Sequence, residues 1–329
     1  MSGYSRDSFH VLFNMDEFQF SMRGLKILLT AFIVLHLIAA FLAPAAYKAM
    51  IWWNASWPNS LNDYLIGKPF PEYFDRARIL LMLLSLPWLF IQCRLLSARK
   101  LGYSGDFPWY TYFLRFYMVG VIWAVCVLGI LLSVGVVAVE SSLTFGGLMI
   151  GLFVAFLAAF LIGSMEELMF RGLFFRMFYT AFTPAISVFL SSLFFAYVHF
   201  KQPKGLWDYD TLPAEVGWLD GLSVGFRVLT GITVNFDLVL FLNLSLLGYV
   251  LTVVFMKTKS LWAAVGLHAG LVTPISFFMK IAVRDLDQQS LWWGTFRLAD
   301  GYFSTACLLF IAVYFSRLYR PRQPSGFSF

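Results

Sequence analysis

Long apolar runs separated by short polar segments dominate the sequence. A membrane-spanning helix needs about 20 predominantly apolar residues, and runs of this kind, each bounded by charges, Pro or Gly, recur along the chain. The pattern predicts an all-α fold, a polytopic membrane helix bundle. Its eight expected spans are residues 26–47, 78–97, 116–139, 145–168, 184–201, 236–257, 261–281 and 302–319. The second span is the weakest, because it is short and interrupted by Pro87.

Composition supports lipid as the solvent of these runs. Hydrophobic residues make up 60% of the 329 residues and charged residues 13%, against roughly a quarter charged in soluble domains. One soluble core cannot bury that much apolar surface. The first 22 residues lack the order of a cleaved signal peptide, so the first helix is expected to be retained.

The distribution of basic residues indicates the orientation of the protein in the membrane rather than a nucleic-acid partner. The net charge of +6 comes from 24 basic and 18 acidic residues, and the basic residues cluster at helix ends. The positive-inside rule then predicts a multi-pass protein of the cell (inner) membrane with cytoplasmic N- and C-termini. The basic residues that lead to this prediction are Arg94, Arg99, Lys100, Lys257, Lys259, Arg317, Arg320 and Arg322.

Ionisable residues inside spans are costly and suggest function, and they concentrate around residue 166. Glu166 and Glu167 are followed by Arg171 in an apolar helical segment. Glu167 and Arg171 stand at i and i+4, where a carboxylate and a guanidinium can pair. Glu166 is rotated by about 100° around the helix, toward another element. Taken alone, such a pair is more often an interfacial ion pair than a site.

Two histidines change that interpretation. His199 lies one turn after Phe195, near the end of the next apolar run. A turn near residues 182–184 gives helical arms of similar length back to Glu166 and on to His199. Both residues are therefore predicted to lie at the same depth in the membrane. His268 lies closer to its own turn, roughly 13 Å against roughly 24 Å for Glu166 at 1.5 Å per residue. For Glu166 and His268 to lie side by side, the 166–199 hairpin must project about two helical turns beyond the membrane surface.

The glycines on either side of His268, Gly266 and Gly270, predict a close approach of another helix. A glutamate and two histidines in such a cavity support two kinds of amide hydrolysis. They can hold a catalytic zinc, or Glu166 can act as a general base with His268 stabilising the oxyanion. No HExxH motif fixes a metal, so zinc is a possible cofactor and both schemes stay open.

Residues 145–281 resemble the CAAX-protease and bacteriocin-processing (CPBP, Abi) family of intramembrane peptidases, which includes the Ras-converting CAAX endopeptidase. The resemblance is carried by Glu166-Glu167-x-x-x-Arg171, Phe195-x-x-x-His199 and His268. It implies that Glu166 activates water with His199, and that His268 helps to bind the oxyanion or a metal. Family members are described both as metalloproteases and as metal-independent glutamic peptidases.

One position departs from the family pattern. The family usually has Asn or Asp four residues after its last histidine, where this chain has Val272. A second polar group for the oxyanion is therefore missing from its usual place. Thr273 and Asn243 are the conceivable substitutes.

The sequence thus predicts an intramembrane endopeptidase acting on a membrane-anchored or hydrophobic protein or peptide. One alternative is a non-catalytic immunity, scaffold or regulatory protein of the same fold, which Val272 favours. Another is a transporter, but the sequence lacks the inverted repeat expected of one. The polar segment 201–235, with Trp207, Tyr209 and Trp218, is a candidate lid or recognition loop because of its length. The expected organisation is a cytoplasmic segment (1–25), N-terminal transmembrane helices (26–140), a catalytic bundle (141–282) and a C-terminal helix with a basic tail (283–329).

Overall fold

A computed structural model describes residues 22–93, 95, 101–103, 108–139, 144–200, 215–234, 236–284, 290–294 and 301–318. Nearly all of the regular structure in these residues is helical, which confirms the predicted all-α class. Trp207, Tyr209 and several of the basic residues that predict the orientation lie outside them. The helices are α1 (Met22–Ser56), α2 (Ser60–Ile66), α3 (Phe70–Gln92), α4 (Trp109–Ser133), α5 (Phe145–Glu167), α6 (Phe175–Ala181), α7 (Pro184–His199), α8 (Asp220–Val234), α9 (Leu238–Thr258), α10 (Leu261–Ile281) and α11 (Tyr302–Val313).

Two π-helical segments and one small ribbon complete the described structure. The segment π1 (Leu168–Phe174) joins α5 to α6, and π2 (Tyr314–Leu318) continues α11. The strands β1 (Val137–Val139) and β2 (Ala282–Arg284) pair antiparallel. The predicted span 116–139 therefore ends as a helix at Ser133 and finishes in β1.

Five helical stretches among the described residues are long and apolar enough to cross a membrane, and the protein is an integral membrane protein. They are Gly24–Ser56, Trp109–Ser133, Phe145–Tyr179, Leu238–Thr258 and Leu261–Ile281. The helices Pro184–His199 and Tyr302–Arg317 are apolar but shorter.

The weakest predicted span, 78–97, corresponds to α3, which is not one of these five. The helix begins eight residues earlier than predicted, at Phe70, and ends at Gln92. Its first turns carry charged pairs, Glu72 with Arg76 and Asp75 with Arg78. These charges lower the hydropathy of the helix below that of the other spans.

The described residues form two compact units, each discontinuous in sequence. One unit comprises Leu95–Ala196 and Asp237–Phe329. Within it, α10 packs against α4, α5 and α9, and α11 packs on α9. The core of this unit is aromatic and aliphatic, and includes Phe116, Val250, Leu251, Val254, Leu267, Leu271, Leu308 and Phe315.

The other unit comprises Phe20–Arg94 and Tyr197–Phe236, and is built from α1, α3 and α8. The prediction of a loop over 201–235 is wrong for Asp220–Val234, which is helical. A Cβ atom on Gly221 would lie 1.8 Å from the carbonyl oxygen of Ala40, so only glycine allows α8 to pack this closely on α1. The signal was present in the sequence as glycines at 217, 221 and 225, the small-residue spacing of membrane helix contacts.

Candidate active site

Two glycines set the position of α10 against α4. A Cβ atom on Gly266 would lie 2.4 Å from the carbonyl oxygen of Phe113, and one on Gly270 would lie 2.2 Å from that of Tyr117. The predicted close approach is confirmed. His268 is two residues from each glycine, roughly 200° around the helix, so it points away from α4.

The opposite face of α10 meets α5. A Cβ atom on Gly163 would lie 3.6 Å from Cγ of His268, an ordinary van der Waals distance. The missing side chain at Gly163 leaves space for the imidazole beside α5. One turn further along α5, Glu166 and Glu167 reach the same ring.

Glu167 is the centre of a buried polar cluster. Arg171 Nη1 donates to Glu167 Oε1 at 2.7 Å, as the i, i+4 spacing predicted, and both side chains are fully buried. The same oxygen lies 2.8 Å from Nδ1 of His268. Because Oε1 accepts from Arg171, we assign the imidazole proton to Nδ1, which donates to Glu167. Glu167 therefore contacts His268 as well as its predicted partner Arg171.

Glu166 approaches the other nitrogen of the same imidazole. Its Oε2 lies 3.8 Å from Nε2 of His268, beyond direct hydrogen-bond distance and suited to a bridging water. The Glu166 side chain is 20% exposed, whereas that of Glu167 is not exposed at all. Of the two carboxylates, only that of Glu166 is partly exposed.

The backbone changes pitch directly after these glutamates. The segment π1 begins at Leu168, and its residues from Met169 to Phe174 are buried. π-Helical turns occur frequently at functional sites. Within π1, Arg171 turns its second donor, Nη2, to the carbonyl oxygen of Gly248 at 2.9 Å. The guanidinium thereby ties the cluster to the backbone of α9.

Phe195 of α7 covers this cluster. It is fully buried, its ring lies 4.9 Å from Cζ of Arg171, and its ring centroid lies 6.2 Å from that of His268. Gly248 allows the approach, since a Cβ atom there would lie 3.1 Å from Cβ of Phe195. An aromatic face over a buried guanidinium stabilises the cation and keeps water away from the ion pair.

His199 is the last residue of α7, one turn beyond Phe195, and it is partly buried. The turn predicted near residues 182–184 is present, since α6 ends at Ala181 and α7 begins at Pro184. His199 falls in the unit built from α1, α3 and α8. The proximity of His199 to Glu166 stays a prediction.

The described residues do not provide a metal-ligand set. No group of three or more His, Cys, Asp or Glu side chains among them lies close enough together to hold a metal ion. Zinc, which the sequence left open as a possible cofactor, is not assigned to the site, and no step below involves a metal.

Both conceivable substitutes for the missing oxyanion group make structural hydrogen bonds. Thr273 donates its hydroxyl proton to the carbonyl oxygen of Ala269 at 2.7 Å. Asn243 Nδ2 donates to the carbonyl oxygen of Gly301 at 3.2 Å, which fixes the start of α11. We assign neither residue to the oxyanion.

Tyr103 is a neighbour of Glu167 that no pattern in the sequence singled out. Trp262 Nε1 donates to its carbonyl oxygen at 3.2 Å, and the two rings pack edge to face. Burial raises the pKa of the Tyr103 phenol to about 12, and the nearby Glu167 carboxylate adds to the increase. Tyr103 lies between spans, so hydropathy did not mark it.

Residues 147–273 match the sequence model of a protein family described as type II CAAX prenyl endopeptidase Rce1-like. The matched range contains the whole buried cluster from Glu166 to His268, and it confirms the family resemblance drawn from the sequence. No curated protein and no solved structure matches the chain. The fold and the site thus define an integral membrane protein with a domain similar to membrane proteases. In particular, residues 147–273 are similar to the Rce1-like type II CAAX prenyl endopeptidases.

Proposed function

We propose that the protein is an intramembrane endopeptidase in which Glu166, His199 and His268 carry the reaction. The observation that supports this best is the imidazole of His268 held between two carboxylates, one fully buried and one partly exposed. This division gives each glutamate a different task. Glu166 acts on water, and Glu167, fixed by Arg171, positions His268.

The reaction begins at Glu166, whose carboxylate takes a proton from a water molecule that His199 helps to hold. The water oxygen forms a bond to the carbonyl carbon of the substrate, and the carbonyl oxygen becomes an oxyanion. His268, in its doubly protonated form, donates Nε2–H to that oxyanion, with Glu167 as the counter-charge at Nδ1. Glu166 then returns the proton to the leaving nitrogen as the C–N bond breaks.

The substrate we propose is a membrane-anchored or hydrophobic protein. Glu166, Arg171 and His268 all lie in helices of membrane-spanning length, so the scissile bond must reach a site surrounded by apolar helices. An extended segment entering from lipid meets this requirement. The inner-membrane location and the cytoplasmic termini stay predictions.

The test compares protein termini in cells that carry the wild-type chain or Glu166→Gln at equal membrane abundance. The substitution keeps the volume of the side chain and removes the base. Termini that depend on the wild-type chain should disappear in Glu166→Gln and persist in the control Glu72→Gln, which removes a carboxylate from a partly exposed ion pair. Identical termini in all three strains would refute the proposal.

A non-catalytic membrane partner of the same fold is the second candidate. Val272 stands where a polar residue is expected, and Thr273 and Asn243 already make structural hydrogen bonds. This candidate predicts that Glu166→Gln leaves every terminus unchanged. It also predicts that a substitution that unfolds the chain produces the phenotype of a deletion.

A further inference from the structure

The unit formed by α1, α3 and α8 contains a cavity of about 740 Å³. It lies between the last turns of α1 and the segment that leads into α8. Its size falls within the range of small-ligand pockets. The residues that line it are Tyr47, Lys48, Ile51, Trp52, Glu215, Val216 and Gly217.

The cavity offers one cation and one anion. Lys48 is half-buried and Glu215 is exposed. Among the described residues, neither side chain makes an ion pair or a side-chain hydrogen bond, although Lys48 Nζ lies 5.5 Å from the centre of the Trp218 ring. Opposite charges that line one cavity without pairing suit a ligand that carries both charges itself.

The depth of the cavity follows from α1. The membrane-spanning stretch of this helix ends at Ser56, so Lys48 and Trp52 lie in its last turns. Trp52, Trp53 and Trp57 are 66%, 54% and 64% exposed. Tryptophans gather where lipid headgroups meet the acyl chains, which places the mouth of the cavity at headgroup level.

We propose that this cavity binds the headgroup of a zwitterionic phospholipid. The phosphate pairs with Lys48, and the positively charged ammonium group lies beside Glu215 and the ring of Trp52, which attracts cations. An anionic headgroup fits less well, since its phosphate gains Lys48 but it has no amine for Glu215. The ligand is thus selected by two charges of opposite sign that line the same cavity.

The experiment uses the full chain in detergent, with bound lipid counted by native mass spectrometry. Phosphatidylcholine and phosphatidylglycerol with identical short acyl chains are the probes. Wild type should bind phosphatidylcholine more tightly. Lys48→Gln should weaken that binding roughly fivefold, the effect of losing one partly exposed ion pair. Lys68→Gln is the control, because Lys68 lies over the ring of Tyr64 outside the cavity.

Glu215→Gln tests the amine separately. It should weaken phosphatidylcholine binding and leave phosphatidylglycerol binding unchanged, so that the preference between the two lipids disappears. Equal binding of the two lipids by wild type overturns the proposal. So does a loss in Lys48→Gln no larger than in Lys68→Gln, or displacement of phosphatidylcholine by inorganic phosphate at similar concentration, which indicates a free-phosphate site.

Discussion

The substitution Gly270→Ala tests how the glycine contact between α10 and α4 positions the site. The new methyl group would lie 2.2 Å from the carbonyl oxygen of Tyr117, whereas ordinary contacts begin at 3.4 Å. The helices must separate by about the difference, 3.4 − 2.2 = 1.2 Å. The carbonyl is part of a helix backbone and cannot rotate away, so α10 has to move.

Two effects follow from this movement. Overpacking of a well-packed interface costs about 1–3 kcal/mol, which lowers the unfolding temperature by several degrees at roughly 2–4 °C per kcal/mol. The displacement also changes the 2.8 Å contact between His268 and Glu167. A misplacement of about 1 Å in a catalytic group can reduce activity on the order of 100-fold. Activity should therefore fall much more than stability.

Thermal unfolding of the purified protein, followed by tryptophan fluorescence, measures the first effect, and the yield of wild-type-dependent protein termini measures the second. Gly129→Ala is the matched control, because a Cβ atom on Gly129 of α4 would meet nothing within 4 Å. It should unfold at or slightly above the wild-type temperature. If Gly270→Ala behaves like Gly129→Ala in both assays, the proposed role of the contact is wrong.

Three further outcomes are expected. Glu167→Gln leaves Arg171 buried without its carboxylate and should lower the free energy of unfolding by about 3–5 kcal/mol. Adding Arg171→Met should restore thermal stability but not proteolysis. Restored proteolysis in the double variant would contradict the positioning role of Glu167. Thr273→Val should leave the yield of termini within about twofold of wild type; a larger loss with unchanged folding would return Thr273 to the oxyanion. The Tyr103 phenol, with its pKa raised to about 12 from about 10 in an unfolded chain, favours folding below pH 10. That contribution is lost as pH rises through 12. Between pH 9 and 11 the unfolding temperature of Tyr103→Phe should therefore fall less than that of wild type. An equal fall in both proteins would contradict the raised pKa of Tyr103.

The residues of the buried cluster were largely predictable, but the contacts between them were not. Intramembrane charge singled out Glu166, Glu167, Arg171 and His268, and the i, i+4 rule predicted the ion pair. The bond between Glu167 and His268 depends on the register of α5 against α10, which hydropathy does not fix. The conversion of the helix to π pitch after Glu167 has no signature in a single sequence either.

The fold was predictable where apolar runs reach membrane length. Helix α8 was missed because its 15 residues are too few for a span and because polar residues precede it. Gly221 and Gly225 inside it, with Gly217 three residues before its start, indicated a packed helix more directly than its hydropathy did. The limits of α3 were missed because charged pairs in its first turns extend the helix beyond the apolar run.

Every residue that holds the buried cluster belongs to a helix. Glu166 and Glu167 end α5, Arg171 lies in π1, and Gly248 and His268 lie inside α9 and α10. Among the described residues, the hydrogen bonds that join Glu167, Arg171, His268 and Gly248 all run between helical residues. The segments between helices can therefore gain or lose residues during evolution while these bonds keep their geometry.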